Sequence, residues 1–473
     1  MRTATIASQV ESSFEIYAIQ LISDFLGLDL APSAKSGSAA DVYHGNDGYP
    51  CKLRIPLVAS YSPTDVPVPP ACMIVDGAYC NDEPFPFDLF AAIRFWLGDE
   101  GNAACADSAF DVHGRLLAEN SLQARLKVLE LPVVNAYLMV FRQWFTARFK
   151  IFCRSRLPFG KKCAVVLTHD VDNPINPGYP FHHLGLAQLA LRNKRPRTAL
   201  RLVGNAILRA AHGIAHPGER RWLFPDIIKA EGQYGFRSTF FFASRSKAEG
   251  HELDVSYNVK TSRFCHLLRE IALSGSEIGL HASYRSGESA TLLAVERQRL
   301  ERVTQSEIKG ARHHYWHLTR RFWDTLDRHA ESGIKYDCSV SFNDAPGFRL
   351  GIAYPFQPWN PLSERPIKTL QIPTFLMDGA LFEYGREKAD GALDTVVSLL
   401  SCLKRYEGVA ALDWHEYTSF PGSREFRDWG QAYLNVLEIL NADSEIAVFA
   451  GSDVFERWDR AGKLDYRWKE ALQ

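Results

Sequence analysis

Residues 163–172 read CAVVLTHDVD, a run of apolar, β-branched side chains that ends in Thr168-His169-Asp170-Val171-Asp172. A short apolar run of this kind is the pattern of a strand buried on both faces. Two acids leave its carboxyl end two residues apart, and in a continuing strand they face the same side. Carboxylates so placed repel each other unless a cation lies between them or one is protonated. One arrangement separates their roles: one acid binds a metal and the other serves as a general base. The alternative is a pair of loop or helix-capping acids.

The same pattern recurs down the chain. RSTFFFAS (237–244), SEIGLHAS (276–283), GVAALDWHE (408–416) and SEIAVFAG (444–451) read as strands, with amphipathic helical stretches at Ser262 to Leu273 and Thr319 to Ser332 between them. Alternation of this kind predicts βαβ units and a parallel sheet or barrel. Active-site residues in such folds sit where strands end and loops begin. Three further clusters lie at such points: His281 after SEIGL, the run Gly310-Ala311-Arg312-His313-His314-Tyr315-Trp316-His317, and Asp413-Trp414-His415-Glu416. A neutral imidazole is the commonest ligand of zinc-like metals. Each cluster alone is a weak signal, but together they place Asp, His and Arg as a metal hydrolase site requires.

The N-terminal part reads differently. It carries helical patterns at Glu15 to Leu28, Phe87 to Trp96 and Pro132 to Phe149, and a Pro-rich stretch from Pro63 to Pro70. A single core rarely grows beyond roughly 250–300 residues. We therefore expect two domains in the 473-residue chain, an α/β accessory domain at 1–155 and the strand-helix domain at 156–473. The accessory part collects no catalytic residue types, and its Asp111 and His113 read as surface loop. The formal charge of -1 offers no whole-chain argument for nucleic-acid binding. Nine scattered cysteines without a CxxC pair do not form a disulfide framework. The first residues lack a signal-peptide pattern and no apolar run approaches the ~20 residues of a membrane span. The expectation is a cytoplasmic protein. Residues 192–221 carry Arg192, Lys194, Arg195, Arg197, Arg201, Arg209, Arg220 and Arg221, a solvated helix face or a peripheral contact with an anionic surface.

Taken in order, these blocks resemble the polysaccharide deacetylase superfamily, with its NodB-homology domain of the carbohydrate esterase family 4 type. Thr-His-Asp-Val-Asp is similar to the family's first motif, and the match implies Asp170 as general base and Asp172 as metal ligand. Gly275 to Gly279 and His281 resemble the second motif, implying His281 as a ligand. The family has a second His four residues later, where this chain has Arg285. Either His313 or His314, with His314 preferred, supplies the missing ligand, or the site binds metal weakly, or it binds none. Arg312 to Tyr315 resembles the third motif, whose Arg orients the base and whose backbone amide, here that of Tyr315, holds an oxyanion. Asp378, in Ile372 to Gly379, stands in the fourth motif as an acid. Trp414-His415 resembles the fifth, with His415 as general acid and Asp413 tuning it. Residues 336–359 and the N-terminal part resemble the substrate loop and accessory domain of a bacterial subgroup.

The resemblance implies a distorted NodB-type (β/α) barrel and a divalent metal: zinc, or else nickel or cobalt. It implies N-deacetylation of an N-acetylated sugar or surface-polysaccharide precursor. Tyr315, Trp359 and Trp414 are the expected substrate-binding aromatics. Other readings are a different C–N amide hydrolase of the same superfamily, which Arg285 keeps open, or a non-catalytic carbohydrate-binding protein.

Overall fold

The computed structural model describes the chain except residues 1–2, 9–11, 28, 33–39, 47–50, 59, 69–84, 104, 151–156, 159, 175–183, 185–186, 189–190, 192–195, 216–221, 386–388, 423–424 and 462–473. The expected boundary near residue 155 falls outside the described residues, as do Arg192, Lys194, Arg195, Arg220 and Arg221 of the basic segment.

The Cys163–Val171 strand is buried along its whole length. It pairs in parallel with Val409–Asp413 on one side, and with Thr239–Phe242 and Ile446–Phe449 on the other. From Thr239–Phe242 the sheet continues through Glu277–Ala282, Gly310–His313, Tyr336–Asp337 and Leu370–Gln371. From Val409–Asp413 it continues to Thr374–Met377. The two end strands are consecutive pieces of one segment, separated only by Ile372 and Pro373. Ile372 donates its amide to the Asp337 carbonyl, and the Pro373 carbonyl accepts from the Ala411 amide. The sheet therefore curls back on itself into the distorted parallel (β/α) barrel that the sequence predicts. Helix Ser262–Leu273 runs as expected, and the helix expected from Thr319 begins at Phe322.

The N-terminal part is α/β. A four-stranded parallel sheet has the order Asp29–Pro32, Thr3–Ser8, Ala40–His44, Cys51–Ile55. Helix Ser13–Leu26 starts at a capping box in which Ser12 and Glu15 satisfy each other's backbone amides, and stops at Gly27, whose φ of 64° suits a residue without Cβ. Helices Leu89–Leu97 and Val133–Phe149 complete it. This part shares a core with the barrel. The Phe14 ring meets Trp359 edge-on at 5.1 Å, and the Phe25 ring meets Tyr354 at 5.3 Å. Tyr17 donates its hydroxyl to the Gln357 carbonyl.

Candidate active site

In a parallel barrel all carboxyl ends lie on one rim, and the candidate residues collect there. Asp170 ends the first barrel strand and Asp172 follows it. His281 and Arg312 close their strands, while Asp378 and His415 follow theirs.

Asp172 Oδ1 lies 3.1 Å from His281 Nε2 and 3.5 Å from His314 Nε2. His281 Nδ1 is 3.1 Å from the Arg312 carbonyl, which can only accept, so Nδ1 carries the proton and the Nε2 lone pair faces Asp172. Asp172 Oδ1 and His281 Nε2 are both buried without a hydrogen-bond partner. Two acceptors facing each other in the interior call for a cation. Ligand atoms on a tetrahedral ion with ~2.0–2.1 Å bonds lie roughly 3.3 Å apart, close to both distances. Burial opposes charge on the His281 ring, but Asp170 and Asp172 raise its pKa above the usual range, so a proton competes with a metal for Nε2. Burial likewise opposes ionisation of Asp172, yet His314 and His281 hold its carboxyl well below the ordinary value. The three side chains form a His/Asp cluster of the kind that holds a divalent ion.

Beside them, Arg312 is fully buried between two acids. It reaches Asp170 at 3.1 Å and Asp413 at 2.6 Å, and also donates to Thr168, Cys338 and Thr374. Asp170, Asp413 and His415 approach one another closely enough to suggest a second ion, but the guanidinium already supplies the positive charge there. Burial works against ionised Asp170, and Arg312, His281 and His415 outweigh it and lower its pKa. Trp316 Nε1 faces its other oxygen at 3.4 Å. Burial pushes Asp413 up to about 7 in spite of Arg312, with Asp170 adding to the rise. Asp413 is ion-paired to Arg312, and as expected it also raises the pKa of His415, though less than Asp378 does. The partner of His415 is Asp378, at 2.8 Å from Nδ1, with the other Asp378 oxygen 3.1 Å from the His415 amide. Burial would discharge this imidazole, but Asp378 raises its pKa well above the usual histidine range. Nδ1–H is thereby committed to Asp378 and Nε2 is turned toward Asp172, 3.7 Å away.

The structure thus brings together Asp170, Asp172, His281, Arg312, His314, Asp378 and His415. His313 is turned away, with its Nε2 2.7 Å from His329 Nε2. Arg285 is exposed. Two expected sugar contacts are corrected. Trp359 is 4% exposed and packs between Phe14 and Tyr17. Trp414 is wholly buried against Tyr433 and Phe382, its indole N–H donated to the Thr418 carbonyl. In an extended strand the residue before an inward-facing one points outward, which explains why Trp414 lies behind His415.

Tyr315 does reach the rim. Tyr315 and Trp316 have φ of 58° and 48°, a conformation costly for residues with a Cβ. The Tyr315 carbonyl accepts a 2.7 Å hydrogen bond from Arg115, which is ion-paired to Asp111. His113 Nδ1 lies 3.0 Å from the Tyr284 hydroxyl, and its ring rests on Tyr315 at 4.7 Å. The surface reading of Asp111 and His113 is therefore wrong: this loop buries His113 against the site. Glu416, named in the last of the sequence clusters, was given no role there. It accepts the backbone amides of Asp172 and Asn173 and so fixes the turn after the first strand. Its position beside His415, at the end of an apolar strand, was the available signal.

Fold and rim together define a class, a distorted parallel (β/α) barrel with a His/Asp centre able to hold a divalent ion. Residues 43–150 match a family of unknown function designated DUF7033. No curated protein matches the chain. Among solved structures, the chain is similar to one described as a polysaccharide deacetylase from Mycobacterium smegmatis, at 19% identity and a TM-score of 0.41 over 64% of this chain and 92% of that one. A PuuE allantoinase follows at 15% and 0.40, over 64% and 93% of the two chains. A structure described as a polysaccharide deacetylase from Pseudomonas aeruginosa PAO1 gives 12% and 0.42, again over 64% and 93%. With TM-scores below 0.5, strand order and rim geometry carry the assignment of the fold.

Proposed function

We propose that the protein is a metal-dependent amide hydrolase of the polysaccharide deacetylase superfamily that removes the acetyl group from an N-acetylated sugar in a surface-polysaccharide precursor. The observation that carries this reading is the meeting, on one rim, of the orphaned Asp172–His281 pair with an Arg-bound carboxylate and an Asp-bound imidazole. Asp172, His281 and His314 would hold the ion, zinc in the first instance. His314 takes the place of the second motif histidine that Arg285 lacks. When bound, such an ion polarises an amide carbonyl and makes water acidic.

The chain's own groups supply the rest. Asp170, kept ionised by Arg312, takes the proton of the attacking water. The Tyr315 backbone amide, aimed by a strained turn, stabilises the negative oxygen that develops. His415 holds a proton at Nε2 because Asp378 occupies Nδ1, and it delivers that proton to the departing amine. The products are acetate and a free amino sugar. A pocket of about 390 Å³ is lined by Asp107, Phe110 and His113 from the N-terminal part and by Glu288, His317 and Arg320 from the barrel, and His113 connects it to Tyr315. The test is release of acetate from N-acetylated saccharides by the zinc-loaded protein. Activity in the wild type and its loss in Asp170→Asn support the reading. Full activity in Asp170→Asn contradicts it.

A further inference from the structure

Helix Pro196–Ala215 lies in the connection that leaves the rim directly after Asp172 and leads to the next barrel strand. Its inner face is ordinary: Ala199 and Ala206 are buried, and Leu202 and Val203 pack with Ala187. Its outer face is not. Leu200, Ile207 and Leu208 are 75%, 64% and 70% exposed, with exposed Gly204 and Ala211 on the same face. These positions recur at helical spacing and form one aliphatic stripe. Arg197 and Arg201 are exposed along the same face. From Asn173 to Gly218 the sequence holds no Asp or Glu, but it holds Arg192, Lys194, Arg195, Arg197, Arg201 and Arg209. A surface helix normally turns its aliphatic stripe inward and leaves charge outside. An outward aliphatic stripe beside unbalanced arginines is the pattern of a helix lying in a membrane interface.

We infer that this helix docks the protein onto an anionic phospholipid surface. The aliphatic stripe enters the headgroup boundary and the arginines meet lipid phosphates. A second copy of the chain is the poorer occupant, because a two-fold contact would set one acid-free basic segment against another. Docking here would hold the protein at a bilayer, the surface on which a lipid-linked glycan is presented. That consequence rests on the deacetylase reading, whereas the docking itself does not.

The experiment is co-sedimentation of the full-length protein with vesicles of phosphatidylcholine alone and of phosphatidylcholine mixed with phosphatidylglycerol. Binding is expected only to the mixed vesicles, weakening as salt is raised. Leu200→Ser/Ile207→Ser/Leu208→Ser and, separately, Arg197→Glu/Arg201→Glu are each expected to lower the partition coefficient about tenfold or more. These side chains are exposed, so the circular dichroism spectrum should not change. Absence of binding to the mixed vesicles overturns the proposal, as does binding that survives both variants. A dimer in solution that the triple Ser variant converts to monomer also overturns it, by assigning the face to a second copy. No step reads hydrolysis, so failure here and failure of the deacetylase reading are separate results.

Discussion

His415 and Asp378 show how one hydrogen bond sets a residue's role. Asp378 is buried, and its two oxygens take the His415 ring and amide. Asp378→Asn removes the charge that keeps the imidazole protonated, and kcat should fall about 10²–10⁴-fold. Metal content should not change, since Asp378 is outside the ion cluster. Steady-state kinetics and elemental analysis on one preparation check this, and unchanged kcat refutes the role. Glu296, outside the ion cluster, offers a stability test. Burial raises its carboxyl to about 7, against hydrogen bonds from the Ser283 amide and hydroxyl. The folded protein therefore keeps a proton that the unfolded chain loses near 4.5. This group weakens the fold as pH rises from about 4.5 to 7, by at most roughly 3 kcal/mol. In denaturant titrations Glu296→Gln should flatten the decline in that window, and an identical pH profile would contradict it. Asp170, Asp172, His281 and His415 were legible because each ends an apolar run. The Asp413–Arg312 pairing was not, because sequence adjacency to His415 concealed that alternate strand residues face different neighbours.

At the scale of elements, tight contacts between strands set the positions of the rim groups. A Cβ on Gly279 would lie 2.4 Å from the Phe241 ring in the neighbouring strand. Gly279→Ala should therefore lower stability by about 1–3 kcal/mol, read by thermal or denaturant unfolding, and a neutral effect would contradict that packing. The turn at Tyr315 and Trp316 is a second case. Two consecutive residues with positive φ cost of order 1–3 kcal/mol each and persist only where neighbours hold them. Arg115, reaching across from the N-terminal part, is the visible restraint. Arg115→Ala should reduce kcat at least about tenfold while zinc binding stays intact. Full activity would mean that the turn needs no such restraint. The strands and helices were readable from periodicity, since burial on both faces leaves unbroken apolar runs. The contact of the 111–115 loop with Tyr315 was not, because it joins residues some 200 positions apart through one ring contact and one backbone carbonyl.

For the whole molecule, the barrel and the N-terminal α/β part are joined by one apolar core that includes Phe14, Tyr17, Trp359 and Trp458. Sequence reading separated the two parts by chain length and by the change of pattern, and took Trp359 for a sugar contact. Only the three-dimensional packing shows that this indole seals the junction between them. A fragment of residues 156–473 would expose that junction, and it should be protease-sensitive and melt without cooperativity. A cooperative fragment that retains activity would make the N-terminal part dispensable. The ends of the barrel meet through Ile372 and Pro373, so a rim assembled from strands distant in sequence acts as one site. That site is testable in one measurement, the zinc content of the purified full-length protein beside His281→Ala and His314→Ala. The account predicts roughly one ion per chain in the wild type, lost in both variants. A wild type without metal after reconstitution, or a His314→Ala variant that keeps its full content, would contradict it.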